Sequence, residues 1–167
     1  MSVSMYQASV PVLVRALTNL SAVLKKGEEH AKTRNIAEEV LLNTRITPDM
    51  FPLARQVQIA TDMAKGAAYR LSGEQPPAMA DDETTFEQLQ QRIAKVIGML
   101  EAFKPEQIDG SEERAIVLKG RTGDRHFTGR PYLFEYVMPN VYFHCTTAYA
   151  ILRGAGVVVG KSDFLGH

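Results

Sequence analysis

A chain of 167 residues with 45% hydrophobic and 23% charged residues has the size and composition of one ordinary globular domain. It is long enough to bury roughly 70% of the surface its unfolded form exposes, which excludes disordered and fibrous classes. Nineteen basic residues balance nineteen acidic ones with no long block of either sign, so the charge pattern of a nucleic-acid binder is missing.

Cys145, the single cysteine, cannot form an internal disulfide, and the N-terminal "MSVSMYQASV" lacks the basic-then-apolar layout of a signal peptide. No uninterrupted apolar run approaches the roughly eighteen residues of a membrane span. A cytoplasmic protein is the expectation, with one domain over residues 1–167 and neither a nucleic-acid nor a membrane partner.

In chain order, Val3, Tyr6, Val10, Leu13, Leu17, Leu20 and Leu24 recur at spacings of three and four, the stripe of a first helix facing a bundle core. Pro11 inside it should bend the helix or delay its start. Residues 28–47 are mixed, and Val40, Leu41 and Leu42 fit a brief helix or an irregular crossover. "TPDMF" then offers Thr47 as a cap and Pro48 at the first position of a second helix, expected over Pro48–Leu71 and stopped by Ser72-Gly73.

After the loop "GEQPPAMADD", Thr84 and Glu87 read as a capping box. Phe86, Leu89, Ile93, Val96, Ile97, Leu100 and Phe103 follow on one face of a third helix that ends before Pro105. "AIVLKG" and "RHFTG" flank "RTGD" as a small β-hairpin. A fourth helix begins near Pro131 and runs to about Arg153, ended by Gly154 and Gly156. The reading is an all-α four-helix bundle with a small β-hairpin before the last helix.

The last helix carries the residue that raises the functional question. At about 100° per residue, Leu133, Val137, Asn140, Val141, His144, Ala148 and Ile151 share one side, so His144 points into the bundle with Asn140 one turn below. Glu135, Thr146 and Arg153 take the wetter side. Between them Met138, Tyr142, Cys145 and Tyr149 form a second, partly apolar stripe, which points either to a homodimer interface or to cover by the N-terminal crossover or the C-terminal tail. A buried imidazole must satisfy both ring nitrogens. Asn140 is one available partner, and helix two offers Arg55, Gln58 and Asp62 on a shared face with Lys65, opposite Leu53, Val57, Ala60, Ala64 and Leu71.

Taken together, "MFPLARQVQIATDMAKGAAYRLSG" on helix two, "FTGRPYLFEYVMPNVYFHCTTAYAILRGAGV" on helix four and the "GKSDFLG" tail resemble a domain-of-unknown-function family grouped with the DinB/YfiT-like metalloenzymes. The resemblance covers nearly the whole chain. It implies a DinB-like bundle, commonly dimeric, with any site at its centre. Better-known DinB-like proteins resemble one another in a three-histidine metal site, with one ligand from helix two and two at i and i+4 on helix four, which leaves a coordination position for water or substrate. Only His144 matches by type here: Ala148 stands at i+4, Asn140 at i−4, and helix two has no histidine.

Two functional readings follow, beside a purely structural role in which the buried polar groups only specify packing. One is a homodimer that binds a small molecule in a central polar pocket lined by His144, Asn140, Asp62, Arg55 and Gln58, with no tightly held metal. The other is a metal-dependent transferase or hydrolase of the DinB-like type. Its zinc or nickel would rest on substitute ligands, His144 with Asp62 or Gln58 and a hairpin residue such as His126. His126 alternates with Phe127 and faces away if Phe127 faces the core. His30 and His167 read as solvated, Cys145 as packing, and "GAGVVVG" follows a helix and is no phosphate loop.

Overall fold

The computed structural model describes residues 3–120 and 122–167. Four long helices make the bundle: α1 (Met5–Arg34), α3 (Leu53–Ser72), α4 (Phe86–Glu101) and α7 (Met138–Gly154). Short helices α2 (Glu38–Leu42), α5 (Pro105–Ile108) and α6 (Gly129–Pro131) lie in the connections, and α8 (Lys161–Leu165) follows the last long helix. Around the bundle the order is α1, α4, α3, α7, so α1 and α3 stand on one diagonal and α4 and α7 on the other. The connections α1–α3 and α4–α7 therefore both cross the bundle, and their lengths follow from that.

The expected stripes fill the core. Leu13, Leu17, Leu24, Leu53, Val57, Phe86, Leu89, Val96, Leu100, Leu133, Val137 and Val141 are fully buried. Helix α1 is long and apolar enough to cross a membrane by composition, although it contains no long unbroken apolar run. Its apolar residues are spent on the bundle interior. It starts at Met5 under a capping box of Ser4 and Gln7 and continues through Pro11 to Arg34, so the delayed start expected from Pro11 does not occur. Val3 lies outside the helix and is exposed.

Two helix starts differ from expectation. Helix α3 begins at Leu53 with Pro52 as its N-cap, and Thr47 donates its hydroxyl to Asp49 Oδ1 at 2.6 Å. A helix starting at Pro48 would drive the Pro52 ring against the carbonyl of residue 48. The segment instead forms a turn closed by Arg45 Nη1 donating to the Met50 carbonyl at 2.8 Å. Helix α4 is capped by Thr85 and Gln88, one residue beyond the Thr84 and Glu87 pair, and this frame makes the fully buried Phe86 its first residue.

The hairpin is as expected: β1 (Ala115–Leu118) and β2 (Arg125–Thr128) pair antiparallel with Ile116 opposite Phe127 and Val117 opposite His126. Ile116 and Phe127 turn inward, and His126 is exposed. Arg121, part of the expected "RTGD" turn, lies outside the described residues. Phe127 stacks toward Tyr132 and Tyr136, with ring centroids 5.9 and 5.3 Å away.

Between α6 and α7, Tyr132–Val137 forms a π-helical turn that the helical pattern did not reveal. Pro139 has no N–H to give to the carbonyl four residues back, and its ring crowds that turn. The backbone widens ahead of it, and Met138 N–H reaches the Leu133 carbonyl, five residues back.

Candidate functional site

Helices α3 and α7 lie side by side, and His144 is buried between them, 8% exposed. Its partner is Gln56 of α3, whose Oε1 lies 2.7 Å from His144 Nδ1. The Gln56 Nε2 donates to the Phe51 carbonyl at 2.9 Å. A carbonyl only accepts, so that bond orients the amide with its oxygen toward the imidazole, and His144 Nδ1 must carry the proton. The other ring nitrogen, Nε2, is left with a lone pair. Among the described residues it makes no hydrogen bond, and it is not sealed from solvent.

Burial pushes the His144 pKa below its ordinary value, and the positive charge of Arg55 lowers it further. The imidazole is neutral at pH 7. The Phe143 ring meets it edge-on with centroids 5.1 Å apart, and Arg55 lies over the Phe51 ring at 5.9 Å. Phe51 and Phe143 are both about half exposed, so the surround of this histidine is apolar at Phe143 and positive at Arg55.

The other residues named from the sequence are placed in two different settings. Asn140 turns its amide onto its own helix and donates to the Tyr136 carbonyl at 2.6 Å, inside the π-helical turn. Arg55, Gln58 and Asp62 belong to a charged network that ties the 74–85 loop to α3 and α4. Its centre is Arg92, a guanidinium 1% exposed. Arg92 donates to Thr61 Oγ1 at 2.8 Å, to the Ala80 carbonyl at 2.7 Å and to Glu83 at 2.9 Å, and pairs with Asp62 at 3.0 Å and Asp81 at 3.1 Å. Lys65 also holds Asp62, at 2.9 Å. Arg55 pairs with Asp81 and donates to Gln58 Oε1 at 3.1 Å, and Gln58 Nε2 donates to Glu83 at 2.9 Å.

Three cations and three carboxylates thus balance inside this network, as groups withdrawn from water require. Burial alone would raise the Asp81 pKa, but the hydrogen bond and charge of Arg55, then those of Arg92, outweigh it and hold the carboxyl below its ordinary value.

These donors do not fit a three-imidazole metal site. Ala148 stands one turn after His144, the α3 partner is an amide already engaged at Nδ1, and Asp62 is committed to Arg92 and Lys65. Among the described residues no three His, Cys, Asp or Glu side chains are placed to share an ion. Neutral amide oxygens are weak ligands for zinc or nickel.

Gln56 and Arg92 are the residues that the sequence reading missed. Both carried a spacing signal. Gln56 follows Leu53 by three and precedes Ala60 by four, and Arg92 stands in the same relation to Leu89 and Val96, so each falls on the buried face of its helix.

Residues 5–165 match the family described as a domain of unknown function, DUF1993. The chain belongs to that family. A solved structure places the DUF1993 fold among the DinB-like bundles: the crystal structure of a DinB family member from Shewanella denitrificans matches with a TM-score of 0.88 and 41% identity, covering 97% of this chain and 92% of that one. No curated protein matches.

Proposed function

We propose that this DUF1993 protein binds a small molecule at His144, with the neutral imidazole accepting a hydrogen bond from a ligand N–H or O–H through Nε2, and without a tightly held metal. The observation that carries the reading is the tautomer: the Phe51–Gln56–His144 chain fixes the proton on Nδ1 and leaves one unpartnered acceptor in an otherwise satisfied surround. Phe51 and Phe143 would hold an apolar part of the ligand, and Arg55 favours a ligand that is neutral or negative there.

The protein acts, in this reading, as a homodimer. The C-terminal tail covers part of the stripe expected for such an interface, with Phe164 against Tyr149 at 5.9 Å and Cys145 buried. The dimer face therefore falls on Phe134 and Phe143, 50% and 55% exposed, aromatic residues being enriched where protomers meet. Sizing chromatography with light scattering checks this; a monomer at micromolar concentration defeats it.

The test of the ligand site is nuclear magnetic resonance of the ¹⁵N-histidine-labelled protein titrated with small alcohols, phenols and amides. The expected result is a protonated Nδ1 and a bare Nε2 in the free protein, with the Nε2 signal moving on binding and the binding lost in His144→Leu. A free protein with the proton on Nε2, or binding unchanged in His144→Leu, overturns the reading.

A further inference from the structure

A cavity of about 170 Å³ lies on the other flank of α7, between α1 and the C-terminal segment that carries α8. Its floor is apolar: Leu20, Val23 and Cys145 line it and are at most 3% exposed. Burial raises the Cys145 pKa to about 12, so the floor carries a neutral thiol and no charge. Water in such a space finds few partners, and an apolar void of ~150 Å³ accepts a benzene ring.

The rim differs from the floor. Arg15 stands there with the Tyr142 side chain, and among the described residues its guanidinium makes one hydrogen bond, from Nη2 to the Leu165 carbonyl at 3.1 Å. Among the described residues no carboxylate pairs with it. Arg55, Lys65 and Arg92 are each paired with carboxylates, and the half-buried Arg70 is turned onto the Tyr132 hydroxyl at 3.0 Å, whereas Arg15 faces a cavity. An uncompensated guanidinium with spare donors at the mouth of an apolar hole suits a carboxylate, which it can grip with two parallel hydrogen bonds.

We propose that this cavity is a second binding site, for a small monocarboxylate whose apolar body is about one ring in size. The body rests on Leu20, Val23 and Cys145, and the carboxylate meets Arg15 with the Tyr142 hydroxyl beside it. Residues of the C-terminal segment form the outer wall, held by the Lys26–Asp163 pair at 2.5 Å and by Asn19 Nδ2 donating to the Phe164 carbonyl at 3.1 Å. The ion pair is solvent-accessible and such pairs are individually weak, and a single hydrogen bond adds only about 1 kcal/mol, so the wall can part to admit the ligand. The site is independent of His144, which leaves α7 about 100° around the helix from Cys145.

The experiment is titration of the full chain with sodium benzoate and with the neutral isostere benzamide, read by methyl resonances of Leu20 and Val23. Saturable 1:1 benzoate binding that moves both methyls is expected, at least tenfold tighter than benzamide. Arg15→Gln, at an exposed position, should erase that preference, and Val23→Phe, which fills the hole, should abolish binding of both. Equal binding of benzoate and benzamide overturns the proposal, as do a preference that survives Arg15→Gln, shifts confined to His144 and Gln56, or no binding at millimolar probe. If Val23→Phe fails to fold, the Arg15→Gln comparison decides alone.

Discussion

Replacing Arg92 by Met removes the centre of the network that fastens the 74–85 loop, while keeping a similar apolar stem against α3. Stripping one partner from a buried ion pair costs ~3–5 kcal/mol. Two of the three carboxylates soften that figure, because Asp62 and Asp81 are about a third exposed, at 34% and 35%, and retain Lys65 and Arg55. Glu83 is 10% exposed and keeps only the Gln58 amide. The Ala80 carbonyl and the Thr61 hydroxyl lose their donor. A loss of ~3 kcal/mol follows, near the bottom of the range, and at ~2–4 °C per kcal/mol for a chain of this length the Tm should fall about 6–12 °C. Urea and thermal unfolding followed by circular dichroism measure it. Adding Glu83→Gln to Arg92→Met should recover ~1 kcal/mol by removing the stranded charge. A loss below ~1 kcal/mol, or no recovery in the double variant, refutes the assignment of Arg92 as a buried, charge-compensated tie.

The His144 pKa lies below its ordinary 6.5 in the folded protein, so the folded state binds fewer protons than the unfolded state. Stability should be flat in this respect above about pH 6.5 and should fall as pH drops from there toward the lowered value. His144→Gln should flatten that slope in urea unfolding between pH 7 and 5. Cys145, with its thiol pushed up to about 12, should resist iodoacetamide in the native protein at pH 8 and react fully in denaturant. A Cβ at Gly129 would sit 1.9 Å from the Ser111 carbonyl oxygen, a backbone atom, so Gly129→Ala should cost at least ~2 kcal/mol in the same unfolding assay. Elemental analysis of untagged protein beside His144→Ala should find no stoichiometric metal in either; near-stoichiometric metal lost in the variant would restore the metalloenzyme reading.

Much of the fold was legible because it rests on periodicity. Spacings of three and four placed the first and third helices, start and stop residues placed the second and fourth with their beginnings too early, and alternation placed the hairpin with Phe127 inward and His126 outward. What stayed hidden depends on competition between equivalent local signals. Pro48 and Pro52 are both plausible helix starters, and only the clash of the second with a turn begun at the first decides between them. The π-helical turn is invisible to a wheel drawn at a constant angle, although Pro139 marked where the ladder had to break. At the site, His144 was found because an imidazole in an apolar stripe stands out. Its partner Gln56 was passed over because the polar face of α3 drew attention to Gln58, two residues on and about 200° around the helix.

The order α1, α4, α3, α7 around the bundle also bears on how the chain reaches this state. Only α3 and α4 are neighbours both in sequence and in space, so theirs is the one long-helix interface that can form from local encounter. Helix α1 must wait for partners that emerge much later, α4 and finally α7, and each docking closes a long stretch of chain first. Folding should therefore be slower than in a bundle whose successive helices are all adjacent. During synthesis the apolar stripe of α1 stays without its α7 cover until the segment through Gly154 has left the ribosome. A helix apolar enough to suit a bilayer is thus the one whose stripe is exposed longest.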